Sequence, residues 1–207
     1  SGAPVRDSGR DRFDTLAGRP GEARVFHLSM VGATRHDADA IVAACDVARA
    51  RDVVDVGGGY GALLAALLKA HPHLTGATAD LPYLQADALA FLGAEGVADR
   101  ARYVPLDFFA SAPPEADVYL LKSVLHDWDD DAAVAILRNV GAAMVGPARL
   151  QVIERCAPTR AAPDPSLQAV LRSDLQMMVA TGGAERTERE YDAIFAAAGL
   201  VRRRTTA

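Results

Sequence analysis

The chain has 207 residues, half of them apolar and about a quarter charged, with a formal net charge of −5 at neutral pH. That length suits one α/β domain with a single buried core. The acidic balance, without a basic patch interleaved with aromatics, argues against a nucleic-acid partner, and the sequence lacks the run of about 18 apolar residues that a membrane span needs.

In chain order, the first 22 residues, SGAPVRDSGRDRFDTLAGRPGE, mix Gly, Pro, Arg and Asp with little apolar periodicity. They read as a linker or the remnant of an N-terminal region, which leaves 23–207 as one domain. From Ala23 the pattern turns helical. Val25, Phe26, Met30 and Val31 give one short amphipathic segment, and Thr34 with Asp37 predicts an N-cap that opens a helix over Asp39 to Ala50. Strands and helices then alternate, the signature of a parallel sheet covered on both faces.

Strands are predicted at Asp52 to Val56, Leu74 to Ala79, Ala101 to Pro105, Asp117 to Lys122 and Arg149 to Ile153. Helices are predicted at Ala62 to Ala70, Leu84 to Leu92, Asp130 to Met144, Leu167 to Ala180 and Glu188 to Ala198, the last opened by a capping box, Thr187 with Glu190. The fold class is α/β, a Rossmann-like, doubly wound, mostly parallel sheet. The basic run Arg202, Arg203 and Arg204 reads as a solvated strand end. Cys45 and Cys156 lie far apart and outside metal-ligand spacing, so a reducing compartment is expected. With no signal-peptide pattern, the expected location is cytoplasmic.

The stretch VVDVGGGYG, Val53 to Gly61, is a β-branched strand that breaks into glycines and then into the apolar ALLAALLKA. Glycines at such a turn let a ligand lie against backbone N–H groups at a helix N-terminus. Two cofactors fit. Gly57, Gly59 and Ala62 satisfy the dinucleotide pattern G-x-G-x-x-G/A, with Asp80 as its later ribose acid. Asp55, Gly57, Gly59 and Gly61 satisfy instead the acidic-x-G-x-G-x-G motif of S-adenosylmethionine methyltransferases. Asp55 favours the second reading: a carboxylate at the end of a buried strand needs a partner, which the ammonium of S-adenosylmethionine supplies, whereas a pyrophosphate would repel it.

Ligands of an open α/β sheet sit outside the carboxyl ends of its strands. Asp55, Asp80, Asp107, His126 and Glu154 all fall there. Asp80 would accept ribose hydroxyls, or else cap the helix before LPYL. Asp107 and Phe108 would take the adenine, or else form a turn with core phenylalanines. In LKSVLHDWDDD, His126 is suited to act as a general base because its unperturbed pKa lies near the working pH. The acids that follow it also favour a helix N-terminus. Glu154 in QVIERCAP and Glu185 in GGAERT are available to hold the tautomer of that base.

The segments DVGGGYG, ATADLP, LDFF, LKSVLHDWDD, VIERCAP, DLQMM and GGAERTEREY occur in the order found in small-molecule O-methyltransferases of the caffeate, acetylserotonin and bacterial polyketide-tailoring type. The chain resembles that family from Phe26 to Leu200. The resemblance implies that Asp55, Gly57, Gly59, Asp80, Leu81, Asp107, Phe108 and Lys122 contact S-adenosylmethionine, with S-adenosylhomocysteine as product. It implies His126 as the base, held by Glu154 and Glu185, and an acceptor pocket that includes Phe26, Met30, Asp127, Trp128 and Met177. The acceptor would be an aromatic small molecule of secondary metabolism, methylated on a phenolic or enolic hydroxyl without a metal, in a protein that forms homodimers when full-length.

Two departures from the family stand out. Its N-terminal helical, winged-helix-like dimerisation domain is essentially absent, and the chain stops at TTA, where a final antiparallel strand pair should continue, so a longer polypeptide is expected. Other readings are the same scaffold diverted to hydroxylation or decarboxylation, a nicotinamide-dependent oxidoreductase, and a non-catalytic binding fragment.

Overall fold

The computed structural model describes residues 8–159 and 165–206. Its centre is an all-parallel sheet of β1 (Asp52–Val56), β2 (Thr75–Asp80), β3 (Ala101–Pro105), β4 (Val118–Lys122) and β5 (Arg149–Ile153). The strands lie in the order β3-β2-β1-β4-β5. Val54 of β1 stands opposite Ala77 on one side and Tyr119 on the other. β1 and β4 are nearly continuous apolar runs because both their faces are covered, as parallel sheets require.

Alternation divides those side chains between two layers. Val53, Val118 and Leu120 pack on Leu64, Leu67 and Leu68 of α3 (Ala62–Ala70). Val54, Val56, Tyr119 and Leu121 pack on the opposite face, against α5 (Asp130–Ala143) and α7 (Glu188–Ala197). The predicted capping box at Thr187 and Glu190 is present in full, and Asp129 caps α5 by accepting from Ala132 N–H. α4 (Gln85–Ala94) follows β2 and buries Ala88 and Leu92, and α6 (Pro165–Ala180) precedes the GGAERT loop. Among the described residues no helix is long and apolar enough to cross a membrane.

Strand order reverses between β1 and β4, so the loops that follow these two strands open side by side at the sheet's carboxyl edge. That crevice is where an open α/β sheet binds its ligand.

The structure departs from the sequence reading at both ends. The segment expected as a linker holds α1 (Ser8–Ala17), residues 1–7 lying outside the described residues, and α2 (Pro20–Ala44) begins inside it. Neither a short segment nor a helix over Asp39 to Ala50 forms. α2 runs unbroken, Thr34 is buried within it rather than capping a helix, and Val47 and Ala50 enter the core from turns. Burial of Ala23, His27, Val31 and Thr34 against the rest of the chain overrides the local capping preference of Thr34. At the other end, no strand follows α7 among the described residues. Arg202 instead turns back to pair with Asp192 and Glu188 on α7 at 2.7 Å.

Candidate active site

The glycine loop is shaped by close approach. Gly57, Gly59 and Gly61 adopt positive φ values of 69°, 57° and 82°, where an L side chain is strained. A Cβ at Gly57 would lie 2.8 Å from Val124 Cγ2, and one at Gly58 2.5 Å from Asp55 Oδ2. The loop therefore folds directly over the Asp55 carboxylate. Burial pushes the pKa of Asp55 up to about 7, against the opposing charge of Lys122. Lys122 is in turn lowered by burial, although Asp55, Glu154 and Asp37 draw it upward.

Asp80 closes the far side of the loop. Its Oδ2 accepts from Gly59 N–H at 2.8 Å and its Oδ1 from Leu81 N–H at 2.7 Å. The turn Pro82–Leu84 that follows has Leu81 as its N-cap and no side-chain cap, so Asp80 ties strand to loop rather than capping a helix. Asp107 accepts from Phe109 N–H at 2.9 Å, as a turn aspartate does. Phe108 meanwhile sets its ring edge-on to Trp128 at 5.9 Å, and its Cε1 would lie 3.6 Å from a Cβ at Gly57.

The catalytic candidates meet on the next loop. After β4 the chain passes through Ser123 at φ 53°, the one described non-glycine residue with positive φ, into the turn Leu125–Asp127. Glu154 at the end of β5 holds this turn, its Oε1 accepting from Val124 N–H at 2.9 Å and Leu125 N–H at 2.8 Å. Its Oε2 lies 3.7 Å from His126 Nδ1. Glu185 makes the direct contact, with Oε1 3.1 Å from Nδ1 and accepting from Ser173 Oγ at 2.5 Å. With Nδ1 turned to the carboxylates, Nε2 is the ring nitrogen left for a ligand.

The charges of this cluster depend on one another. Burial alone would lower the pKa of His126, but the Glu185 hydrogen bond and the charges of Glu154 and Asp127 raise it to about 9. Burial lifts Glu154 to about 7 and Asp127 to about 6, both against the pull of His126. Glu185 is lowered despite its burial, because His126 and Ser173 hydrogen-bond to it. The hydrogen bond between them thus favours an imidazolium at His126 paired with an ionised Glu185.

All of the expected site residues except Glu185 line one cavity of about 630 Å³. Phe26, Met30, Trp128 and Met177 give apolar lining to the same cavity that His126 enters. Asp55, Asp80 and Lys122 form a polar end under the glycines. Glu185 stands behind the imidazole, which suits a residue that acts through His126.

Several residues of the site carried no signal in the sequence reading. Arg186 is buried and clamps the His126 turn: Nη1 donates to Leu125 O and Nη2 to Trp128 O at 2.7 Å, while Nε pairs with Asp130 at 2.8 Å. Gly183 lies flat on the same turn, where a Cβ would fall 2.0 Å from His126 O. Phe13 of α1 stacks on Trp128 at 5.8 Å, and Arg12 lies over the Phe26 ring at 5.1 Å. His27 of α2 covers the glycine loop.

Comparison with known proteins gives a consistent result. The O-methyltransferase domain profile matches residues 5–201. The chain is 41% identical over 181 residues to the mitomycin biosynthesis 6-O-methyltransferase of Streptomyces lavendulae, covering 87% of this chain and 50% of that protein. It is 38% identical over 195 residues to a phenazine O-methyltransferase of Lysobacter antibioticus, covering 94% and 56%.

Among solved structures, LaPhzM superposes with a TM-score of 0.88 at 38% identity over 93% of this chain and 57% of that one. The neocarzinostatin-biosynthesis O-methyltransferase NcsB1, solved with S-adenosylmethionine and 2-hydroxy-5-methyl naphthoic acid, gives 0.84 at 37% identity over 93% and 56%. The chain spans about half the length of the curated relatives it matches. With the profile covering nearly the whole chain and the sheet shared with these structures, the chain belongs to the O-methyltransferase domain family and has the class I methyltransferase fold.

Proposed function

We propose that this chain is the cofactor-binding and catalytic part of an S-adenosylmethionine-dependent O-methyltransferase that acts on a phenolic or enolic hydroxyl of an aromatic small molecule, with His126 as general base. The observation that carries this reading is a shared cavity: a histidine hydrogen-bonded to a buried glutamate faces the same space as a glycine loop laid over buried carboxylates.

The polar end fits the cofactor on its own chemistry. Asp55, a buried carboxylate directly under the glycine loop, suits an ammonium. Asp80 suits a diol, and Phe108 with Asp107 suits a base with an exocyclic amine. A pyrophosphate would face Asp55, which disfavours the dinucleotide reading. When bound, the cofactor supplies an electrophilic methyl group on a sulfonium.

The residues do the rest. The apolar lining formed by Phe26, Trp128 and Met177 excludes water and aligns the acceptor ring, and such positioning supplies much of the rate. His126 Nε2 takes the hydroxyl proton as the oxygen becomes nucleophilic, while Glu185 fixes Nδ1 and balances the imidazolium charge. A base raised to about 9 is nearly matched to a phenol, whose pKa is about 10, so proton transfer between them is close to balanced. The opposing cost is that only a small fraction of His126 is neutral at pH 7. Glu154 is a positioning residue, since both its hydrogen bonds go to the backbone of the turn.

Isothermal titration of the purified chain with S-adenosylhomocysteine, with NADH as control, tests the cofactor. Micromolar binding of the first and none of the second is expected; binding of NADH alone would sink the reading. For the base, His126→Ala should cut methyl transfer to a hydroxynaphthoate acceptor by about 10²- to 10⁴-fold and leave S-adenosylhomocysteine affinity unchanged. Full activity in that variant would remove His126 from the mechanism.

A further inference from the structure

α2 crosses the glycine loop, and the side chain it lays there is His27. The ring is buried among Phe26, Tyr60 and Tyr83, with centroid distances of 5.0, 5.3 and 6.2 Å. Its Nε2 lies 3.2 Å from Tyr83 Oη. Its Nδ1 is turned to the loop, where a Cβ at Gly59 would lie 3.5 Å away. Among the described residues Tyr83 is the only hydrogen-bond partner of this ring, and His27 lines the same cavity as Asp80.

The surroundings keep the ring neutral. Burial lowers its pKa to about 4, with Asp87 opposing. Asp87 is itself occupied, accepting from Tyr60 Oη at 2.9 Å and lying 3.7 Å from Arg24. A neutral imidazole offers one donor and one acceptor, so the Tyr83 hydroxyl, by donating to Nε2 or accepting from it, decides which of the two Nδ1 presents. Asp80 shows why a second group is needed. Each of its oxygens already accepts a backbone N–H, from Gly59 and from Leu81, and as an ionised carboxylate it can only accept. Its remaining lone pairs can accept from both hydroxyls of a ribose diol, but it has no donor to offer their acceptor oxygens.

The geometry points to His27 as a further cofactor-binding residue, meeting a ribose hydroxyl at Nδ1 beside Gly59, the residue whose N–H Asp80 also holds, with Tyr83 fixing its tautomer. This inference rests on the cofactor reading given above. Through it α2, a helix whose sequence shows no binding motif, delivers a polar atom to the nucleoside.

The test is titration calorimetry of the chain and its variants with S-adenosylhomocysteine and its 2′-deoxy and 3′-deoxy analogues. His27→Ala should weaken S-adenosylhomocysteine binding about 3- to 10-fold, the worth of one hydrogen bond, and should leave the affinity for one of the two deoxy analogues within about twofold of wild type. His27→Asn, which keeps a hydrogen-bonding group near the position of Nδ1, should recover most of the loss. An equal loss for all three ligands, or none, would overturn the assignment and leave His27 as a packing residue. If His27→Ala does not fold, judged by its thermal transition, His27→Phe, which keeps an aromatic ring and carries no hydrogen-bonding atom, takes its place in the same three-ligand comparison. Failure of the wild-type chain to bind S-adenosylhomocysteine overturns the cofactor reading, and His27's role with it. Binding with unaltered ligand ratios overturns the His27 assignment alone.

Discussion

Glu185→Gln separates charge from geometry at the catalytic cluster. The amide oxygen can still accept from His126 Nδ1 and Ser173 Oγ, which now sit 3.1 and 2.5 Å from the carboxylate oxygen, while the negative charge is gone. The His126 pKa stands at about 9 against an ordinary 6.5, a preference for the imidazolium of about 3 kcal/mol at ~1.4 kcal/mol per pKa unit. It persists against burial, so the carboxylates supply more than the net figure. Loss of one opposite charge at hydrogen-bonding distance lowers such a pKa by about 1 to 2 units, which brings His126 to about 7 to 8.

The assay is kcat/KM for methyl transfer between pH 6 and 10 at saturating cofactor. In the wild type, kcat/KM rises tenfold per pH unit and bends near 9. In Glu185→Gln the bend moves down to between 7 and 8, onto a plateau lower by roughly tenfold because the base is weaker. Ionisation of the acceptor is common to both curves, so the displacement between them isolates His126. Superimposable curves, or a wild-type profile without a bend, would refute the argument that Glu185 tunes a titrating base.

Other outcomes follow from the same structure. Arg186→Ala strips two carbonyls of charged donors at 2.7 Å and should cost about 3 kcal/mol, read by urea unfolding; a loss under ~0.5 kcal/mol would show that the clamp is dispensable. Gly183→Ala drives a Cβ into His126 O and should cost about 2 to 3 kcal/mol. Gly32→Ala, at an exposed position in α2 with nothing near its Cβ, should stabilise by up to about 1 kcal/mol; equal effects of the two would contradict the contacts described. Stability should fall as pH rises from 5 to 9. Asp55, Glu154, Asp127 and His126 all have folded-state values above their ordinary ones, at about 7, 7, 6 and 9. The folded chain therefore holds more protons than the unfolded one, and the stability these groups add at low pH is lost as pH passes through the folded values. Glu185, His27 and Lys122, with lowered values, act in the opposite sense: the contribution of Glu185 is lost only in acid, and His27, at about 4, adds stability as pH rises to its ordinary 6.5, offsetting part of the decline. Melting temperatures measured across this range should decline, and Asp55→Asn should flatten the decline between pH 4 and 7; a rise from pH 5 to 8 would contradict the cited shifts.

β1 and β4 were legible because strands buried on both faces leave nearly continuous apolar runs, and β1, β3 and β5 begin and end where the sequence places them. The glycine loop and the Thr187 capping box were legible for a similar reason: each is a local pattern of a few residues whose conformation those residues largely dictate. α1 and α2 were not. Gly18, Pro20 and Gly21 punctuate the segment as a loop would, and α2 holds as one helix because Ala23, His27, Val31 and Thr34 find partners elsewhere in the chain.

The sequence by itself determined the fold class, the cofactor loop and the candidates for base and orienting acid, because those depend on periodicity and on short motifs. The tertiary structure decided how the work is divided. Glu185 rather than Glu154 touches the imidazole, Arg186 holds a turn far earlier in the chain, and His27 reaches the glycine loop from another helix. Each of these rests on contacts between residues distant in sequence, and burial sets their charges; neither distance nor desolvation is written in a local pattern.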